Sequence, residues 1–224
     1  MQAKSFTYLA ALALTVIIGL PGAASADTVL NFDDVQGGIV NYMALPLSTN
    51  YGGLTWSSAS PSGYWGVIDN TSYRNYPYSP NSYDFPTNPN VVINEDGHVG
   101  AAQTAVSSAT RFNFDGAWFG AWTAHDTQNY YGATSLTLTG KLGDTVVGTT
   151  TFALAPGLLA WQGVNFTGID TLIFEAAGGA GRYFLMDGFT YNPVSSAPLP
   201  STVLLLGSGI IGLALLRRRK KCRA

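Results

Sequence analysis

Thr134-Ser135-Leu136-Thr137-Leu138-Thr139-Gly140-Lys141-Leu142-Gly143-Asp144-Thr145 is the stretch whose reading decides the fold. Leu136 and Leu138 alternate with Thr137 and Thr139, a period of two that sends one side of a strand inward and the other toward water. Residues 140–144 supply the glycines and the aspartate of a hairpin connection, and a second β-rich run resumes over 145–154. Outward from this hairpin, similar short runs recur at 28–32, 53–57, 91–94, 110–114, 117–124, 159–166, 171–174 and 183–191. No helical period interrupts them. About ten strands at this spacing predict an all-β domain, a two-sheet β-sandwich of jelly-roll type.

The composition agrees with that prediction. Charged residues make up 11% of the 224-residue chain, well under the usual share of about a quarter. Helices spread Glu and Lys over their solvent faces, whereas this chain is rich in Gly, Ser, Thr, Asn and Tyr. Its net charge of −2 hides an asymmetry, because Arg217, Arg218, Arg219, Lys220, Lys221 and Arg223 crowd the carboxyl end. Between Asp27 and Pro198 only Arg74, Arg111, Lys141 and Arg182 face thirteen acids, for a net charge of −9. Such a segment repels nucleic acid, whose binding depends on neutralising phosphates. The one cysteine, Cys222, lies in the basic tail, so the β-rich region has no internal disulfide, no thiolate zinc site and no cysteine nucleophile.

Both ends read as export signals. Lys4 precedes an apolar run over 6–20, then Pro21 and Gly22, then Ala24-Ser25-Ala26, the small-x-small pattern of a signal peptidase site. Residues 1–26 are thus predicted to be a signal peptide, cleaved before Asp27. At the other end Pro198-Leu199-Pro200-Ser201-Thr202 precedes an uncharged run to Leu216 and the basic cluster. Residues 203–216 would rise about 21 Å as a helix. Counting from Ala197 and letting the arginines snorkel, the run reaches across a hydrocarbon core of about 30 Å. The predicted organisation is therefore an extracytoplasmic domain over 27–192, a linker and motif over 193–200, a single transmembrane helix over 201–216 and a cytoplasmic tail over 217–224. Gly207-Ser208-Gly209-Ile210-Ile211-Gly212 spells a dinucleotide fingerprint, but too little chain follows it for a βαβ unit.

The order of a Pro-x-Pro-Ser-Thr motif, a Leu- and Gly-rich apolar run and an arginine cluster resembles the PEP-CTERM sorting signal of Gram-negative bacteria that make exopolysaccharide. The residues that carry the likeness are Pro198, Pro200, Ser201, Thr202, Gly207, Gly209, Gly212 and Arg217 to Arg219, with Leu199 standing where the name-giving glutamate would be. The resemblance implies recognition by an exosortase, which cuts near the proline motif and removes the anchor.

Candidate sites in the domain come from residue type and position. Trp56, Trp118, Trp122 and Trp161 fall in predicted strands and read as core, since a disulfide-free sandwich needs large buried rings. Trp65 stands at the entrance to a segment, 69–90, that holds Tyr73, Tyr76, Tyr78 and Tyr83 with four prolines. A long loop of that composition offers flat apolar faces and hydroxyls to a sugar ring, or folds over the sheet as a shield. Asp33 and Asp34 after the first strand and Asp187 in the last could converge on a structural Ca²⁺, or simply form turns. Glu95 or Asp96 with Asp126 is the one arrangement that offers an acid and base for glycoside cleavage. His98 and His125 make no metal motif. The reading that follows is an exported, non-enzymatic matrix or surface protein associated with exopolysaccharide. The alternatives are a surface-tethered polysaccharide hydrolase or lyase and a self-associating coat protein.

Overall fold

The β-branched and aromatic runs form strands throughout: β1 (Thr28–Leu30), β2 (Ile39–Val40), β3 (Met43–Pro46), β4 (Asn50–Tyr51), β5 (Leu54–Ser58), β6 (Tyr64–Asp69), β7 (Asn90–Glu95), β8 (Gln103–Ala121), β9 (Ser135–Leu142), β10 (Thr145–Ala153), β11 (Ala160–Ala177) and β12 (Phe184–Pro193). One short helix, α1 (Asn70–Asn75), follows β6. The computed structural model describes residues 26–41, 43–75, 89–96, 99–122, 131–156 and 158–194.

The strands join in one sheet in the order β10-β9-β11-β8-β12-β7-β6-β3-β2, with β5 added on β8, β4 on β5 and β1 on β12. Where strand pairs are aligned in register they run antiparallel, and β8 is the pivot. Its first part pairs Thr104 to Ser107 with β5, and its second part pairs Phe112 to Ala121 with β12. β11 follows β8 along both parts, with register shifts between Gly163 and Thr171. Four strand spacings, about 19 Å in a flat sheet, separate β11 from β6. Yet the Phe174 and Trp65 rings lie with centroids 5.1 Å apart. The sheet must therefore fold over on itself, and the fold closes around an aromatic core. Trp56 packs edge-on against Trp65 at 5.3 Å and against Phe189 at 5.5 Å, and Phe174 stacks on Phe184 at 6.1 Å. Leu136, Leu138, Phe112, Phe114 and Met186 fill the remainder.

The all-β expectation is met, with the two layers made by one continuous sheet rather than by separate sheets. The predicted run at 110–114 and the first residues, 117–121, of the run at 117–124 are parts of β8, and the runs at 159–166, from Ala160 on, and 171–174 are parts of β11. Their intervening glycines sit at bulges, where an extra residue bends a strand without ending it. The β9–β10 hairpin forms, with a tighter turn than the connection expected over 140–144 because β9 runs on to Leu142. Leu142 pairs with Thr145 across Gly143-Asp144, and Gly143 takes φ +56 at the first turn position. On its outer face Thr137 bonds Thr151 at 2.8 Å and Thr139 bonds Thr149 at 3.3 Å, while Leu136 and Leu138 are buried.

Residues 69–90, read as loop, begin instead with a strand end and α1. Asp69 caps that helix, accepting from the Ser72 amide at 2.7 Å and the Ser72 hydroxyl at 2.6 Å. The predicted signal peptide and the predicted transmembrane helix over 201–216 lie outside the described residues. Among the described residues no helix is long and apolar enough to cross a membrane.

Candidate functional site

Alternation along β12 creates the site. Phe184, Met186, Phe189 and Tyr191 point into the main core, so Leu185 and Asp187 face the opposite side of the sheet. There Leu185 joins Ala44, Ile68, Val91, Ile93, Trp122, Leu159 and Tyr183 in a second apolar cluster, with Ile39 and Trp118 packed against it. Asp187 pairs across to Trp118, and Trp118 pairs on to Trp161. Three neighbouring strands thus set one carboxylate and two indoles in a row.

The two indoles meet edge to face, with centroids 6.0 Å apart and planes at 65°. Trp161 remains 42% exposed. Two glycines clear the space the rings occupy. A Cβ on Gly116 would lie 2.9 Å from Cζ2 of Trp161, and one on Gly188 would lie 3.0 Å from Cδ1 of Trp118. Gly188 takes φ +57 at a bulge of β12, and its amide donates to Oδ1 of Asp187 at 2.6 Å. That bond holds the buried carboxylate beside the bulge.

A second acidic position lies farther along the same face. Glu95, at the end of β7, accepts from the Tyr183 hydroxyl at 3.1 Å and the Ala44 amide at 3.3 Å. Burial pushes its carboxyl up from the ordinary 4.5 to about 7, against the downward pull of those two bonds. Tyr64 pairs directly opposite, and its hydroxyl, which donates to the Ala44 carbonyl at 3.0 Å, is pushed up to about 12 by burial and by the Glu95 charge. Asp96 points elsewhere. It accepts from the Ser62 hydroxyl at 2.5 Å, and the hydroxyl bonds from Ser62 and Ser60 hold its carboxyl below the usual range.

The register bears on glycoside chemistry. Ile93 pairs with Leu185, which sets Glu95 level with Tyr183 and Asp187 level with Val91. Along the strands their backbone positions are therefore about 13 Å apart, wider than the roughly 5 to 9.5 Å between the carboxyls of retaining and inverting glycosidases. Asp126, the expected partner of Glu95 or Asp96, lies outside the described residues, as do His98 and His125.

Other sequence-derived candidates fall in different places. Trp65 is a correction: at 2% exposure it is the centre of the core, with Nε1 donating to the Ser57 carbonyl at 3.1 Å, and its ring has no face to offer a sugar. Tyr73 lies in α1, and Tyr76, Tyr78 and Tyr83 lie outside the described residues. Asp33, Asp34 and Asp187 do not form a common cation site. Oδ1 of Asp33 takes the Asn90 amide at 3.1 Å and Oδ1 of Asp34 takes the Tyr51 hydroxyl at 2.6 Å, while Asp187 belongs to the row beside Trp118. Among the described residues no group of three or more His, Cys, Asp or Glu is placed to hold a metal ion. Trp56 and Trp122 are core as expected, but Trp161, also read as core, is exposed. The signal was present in its own strand, where Trp161 shares a period with exposed Gly163, Asn165 and Thr167, and Val164 and Phe166 take the half-buried positions.

Residues 196–220 match the PEP-CTERM protein-sorting motif. The chain carries a PEP-CTERM sorting signal. The signal directs export to the cell surface or extracellular space of a Gram-negative bacterium and processing by an exosortase. No curated protein matches the chain. Among solved structures, the K2 cleaved adhesin domain of Lys-gingipain is 15% identical with a TM-score of 0.46, over 75% of this chain and 99% of that one. The N-terminal CBM22-1–CBM22-2 tandem domain of Xyn10C from Paenibacillus barcinonensis is 10% identical with a TM-score of 0.39, over 80% and 49%. A cyclase, Fisc, from Fischerella sp. TAU is 11% identical with a TM-score of 0.40, over 71% and 100%. At such distances these likenesses assign neither a ligand nor an activity to the chain.

Proposed function

We propose that this chain is a non-enzymatic matrix or surface protein whose β-sandwich associates with exopolysaccharide, held by the 201–216 helix until an exosortase releases it. The observation that carries this reading is the sorting signal at 196–220 joined to an all-β domain that leaves an indole exposed on a sheet face. The signal supplies the destination. The ring supplies a flat apolar surface that water wets poorly and that the C–H face of a neutral sugar can cover.

The hydrolase alternative has one point in its favour, the raised carboxyl of Glu95, which falls in the range of a general acid. Against it stand the separation from Asp187 and the engagement of both Glu95 oxygens by Tyr183 and Ala44.

The test uses mature protein recovered from the host surface or medium. Cosedimentation with the host's own exopolysaccharide, without release of new reducing ends, is the expected result. Mature protein that stays in the supernatant at saturating polysaccharide overturns the proposal, and reducing ends that accumulate with time favour the hydrolase.

A further inference from the structure

Resting on the exopolysaccharide reading, we infer that Trp161, braced by Trp118, is a stacking subsite for a neutral pyranose glycan on the outer face of β11 and β8. All five tryptophans lie within the described residues, and Trp161 alone is exposed. Its exposure is built in. Trp118 meets it edge to face at 6.0 Å and supports the ring from the side toward β12. Gly116, pressed between the Gln162 carbonyl and the Trp161 ring, leaves no room for any larger residue: its Cβ would fall 2.3 Å from that oxygen and 2.9 Å from Cζ2. On the other flank Gly163 is exposed and bare. Leu158, 60% exposed, precedes β11, and its carbonyl lies 2.7 Å from where a Cβ on Gly120 would be. Gly120 is two residues beyond Trp118, so the backbone that leads into β11 passes close to the strand that carries Trp118.

The shape suits one ligand class. A fixed, half-bare indole flanked by glycines offers a flat apolar patch about as wide as one sugar ring. A pyranose whose axial C–H bonds share a face covers such a patch while its hydroxyls stay in water. The charge selects further. Asp187 stands one strand from Trp118, Asp115 directly precedes Gly116, and the region from Asp27 to Pro198 carries a net −9, so a uronate or sulfated chain is repelled where a neutral chain is not.

The test is affinity electrophoresis of mature protein and its Trp161→Ala and Trp161→Phe variants through gels that contain host exopolysaccharide, a neutral β-1,4-glucan or polygalacturonate. Trp161 is exposed, so both variants fold, which circular dichroism verifies. The expected result is retardation by the neutral glucan and the host polymer, weakened about tenfold by alanine and largely restored by phenylalanine. Equal retardation of wild type and Trp161→Ala sinks the subsite and leaves the exopolysaccharide reading standing. No retardation of wild type by any polymer sinks both. Stronger retardation by polygalacturonate than by the glucan overturns the ligand class alone.

Discussion

Glu95 is the residue whose surroundings make the sharpest solution prediction. Its carboxyl titrates near 7 in the folded domain and near 4.5 when the chain unfolds, so between those values the folded state binds the extra proton. The Glu95 contribution to stability is therefore fullest below about pH 4.5, falls as pH rises, and is lost above about pH 7, in total about 3 kcal/mol. Glu95→Gln keeps an acceptor for Tyr183 or Ala44 and removes the titration. Urea unfolding midpoints measured from pH 5 to 8 are expected to fall for the wild type and to vary much less for the variant; parallel profiles would show that Glu95 is already charged at low pH. The two tryptophans make a second contrast at this scale. Trp65→Ala empties the ring position that Trp56, Phe174 and Phe184 all touch, and is expected to cost about 3 to 5 kcal/mol. Trp161→Ala removes a ring already 42% in water, and its unfolding midpoint should stay close to wild type.

Bulges decide the shape of the elements, and Gly188 is the most telling. Its φ of +57 belongs to the left-handed region, and a Cβ there would also press on Trp118 at 3.0 Å. Gly188→Val therefore combines backbone strain with displacement of the indole that braces Trp161. It is expected to destabilise by about 2 kcal/mol or more and to change tryptophan fluorescence, whereas Gly143→Ala, at φ +56 with nothing within 4 Å, should cost only about 1 kcal/mol. Thermal melts of the two variants side by side separate crowding from strain.

The same bulges explain what could be read in advance. Strands such as β9 and β10 announce themselves by clean alternation and a Gly-Asp turn, because one face is wet and one is dry. β8 and β11 do not, since Asp115-Gly116 and the irregular stretch around Gly168 look like turns to a local reading, and only pairing with neighbours reveals that the chain runs straight through them. β2 and β4 span two residues each and are defined by their partners alone. The row of Asp187, Trp118 and Trp161 was hidden for the same reason: its members are 43 and 69 positions apart in the case of Trp161–Trp118 and Trp118–Asp187, and register brings them together.

At the scale of the whole chain, the sorting signal and the charge asymmetry make one connected prediction. Every basic residue beyond Arg182 lies after the proline motif and Lys4 lies in the leader, so a cut near Pro198 to Thr202 takes the chain from net charge −2 to −8, and removal of residues 1–26 brings the product to −9. Intact-mass measurement of the secreted form should place its first residue at Asp27 and its last near the motif, and isoelectric focusing should show the matching acidic shift. Replacing Pro198 and Pro200 by alanine is expected to leave the uncut, more basic form in the membrane fraction; normal release of that variant would disconnect the motif from processing. The charge of the product also constrains how it holds a polymer. A −9 domain bound to a neutral glycan through an indole has little Coulombic attraction for salt to screen, so its retention should be nearly flat between 50 mM and 500 mM NaCl. Retention that collapses over that range would mean that a cationic partner or bridging ions, rather than stacking, hold the protein in the matrix.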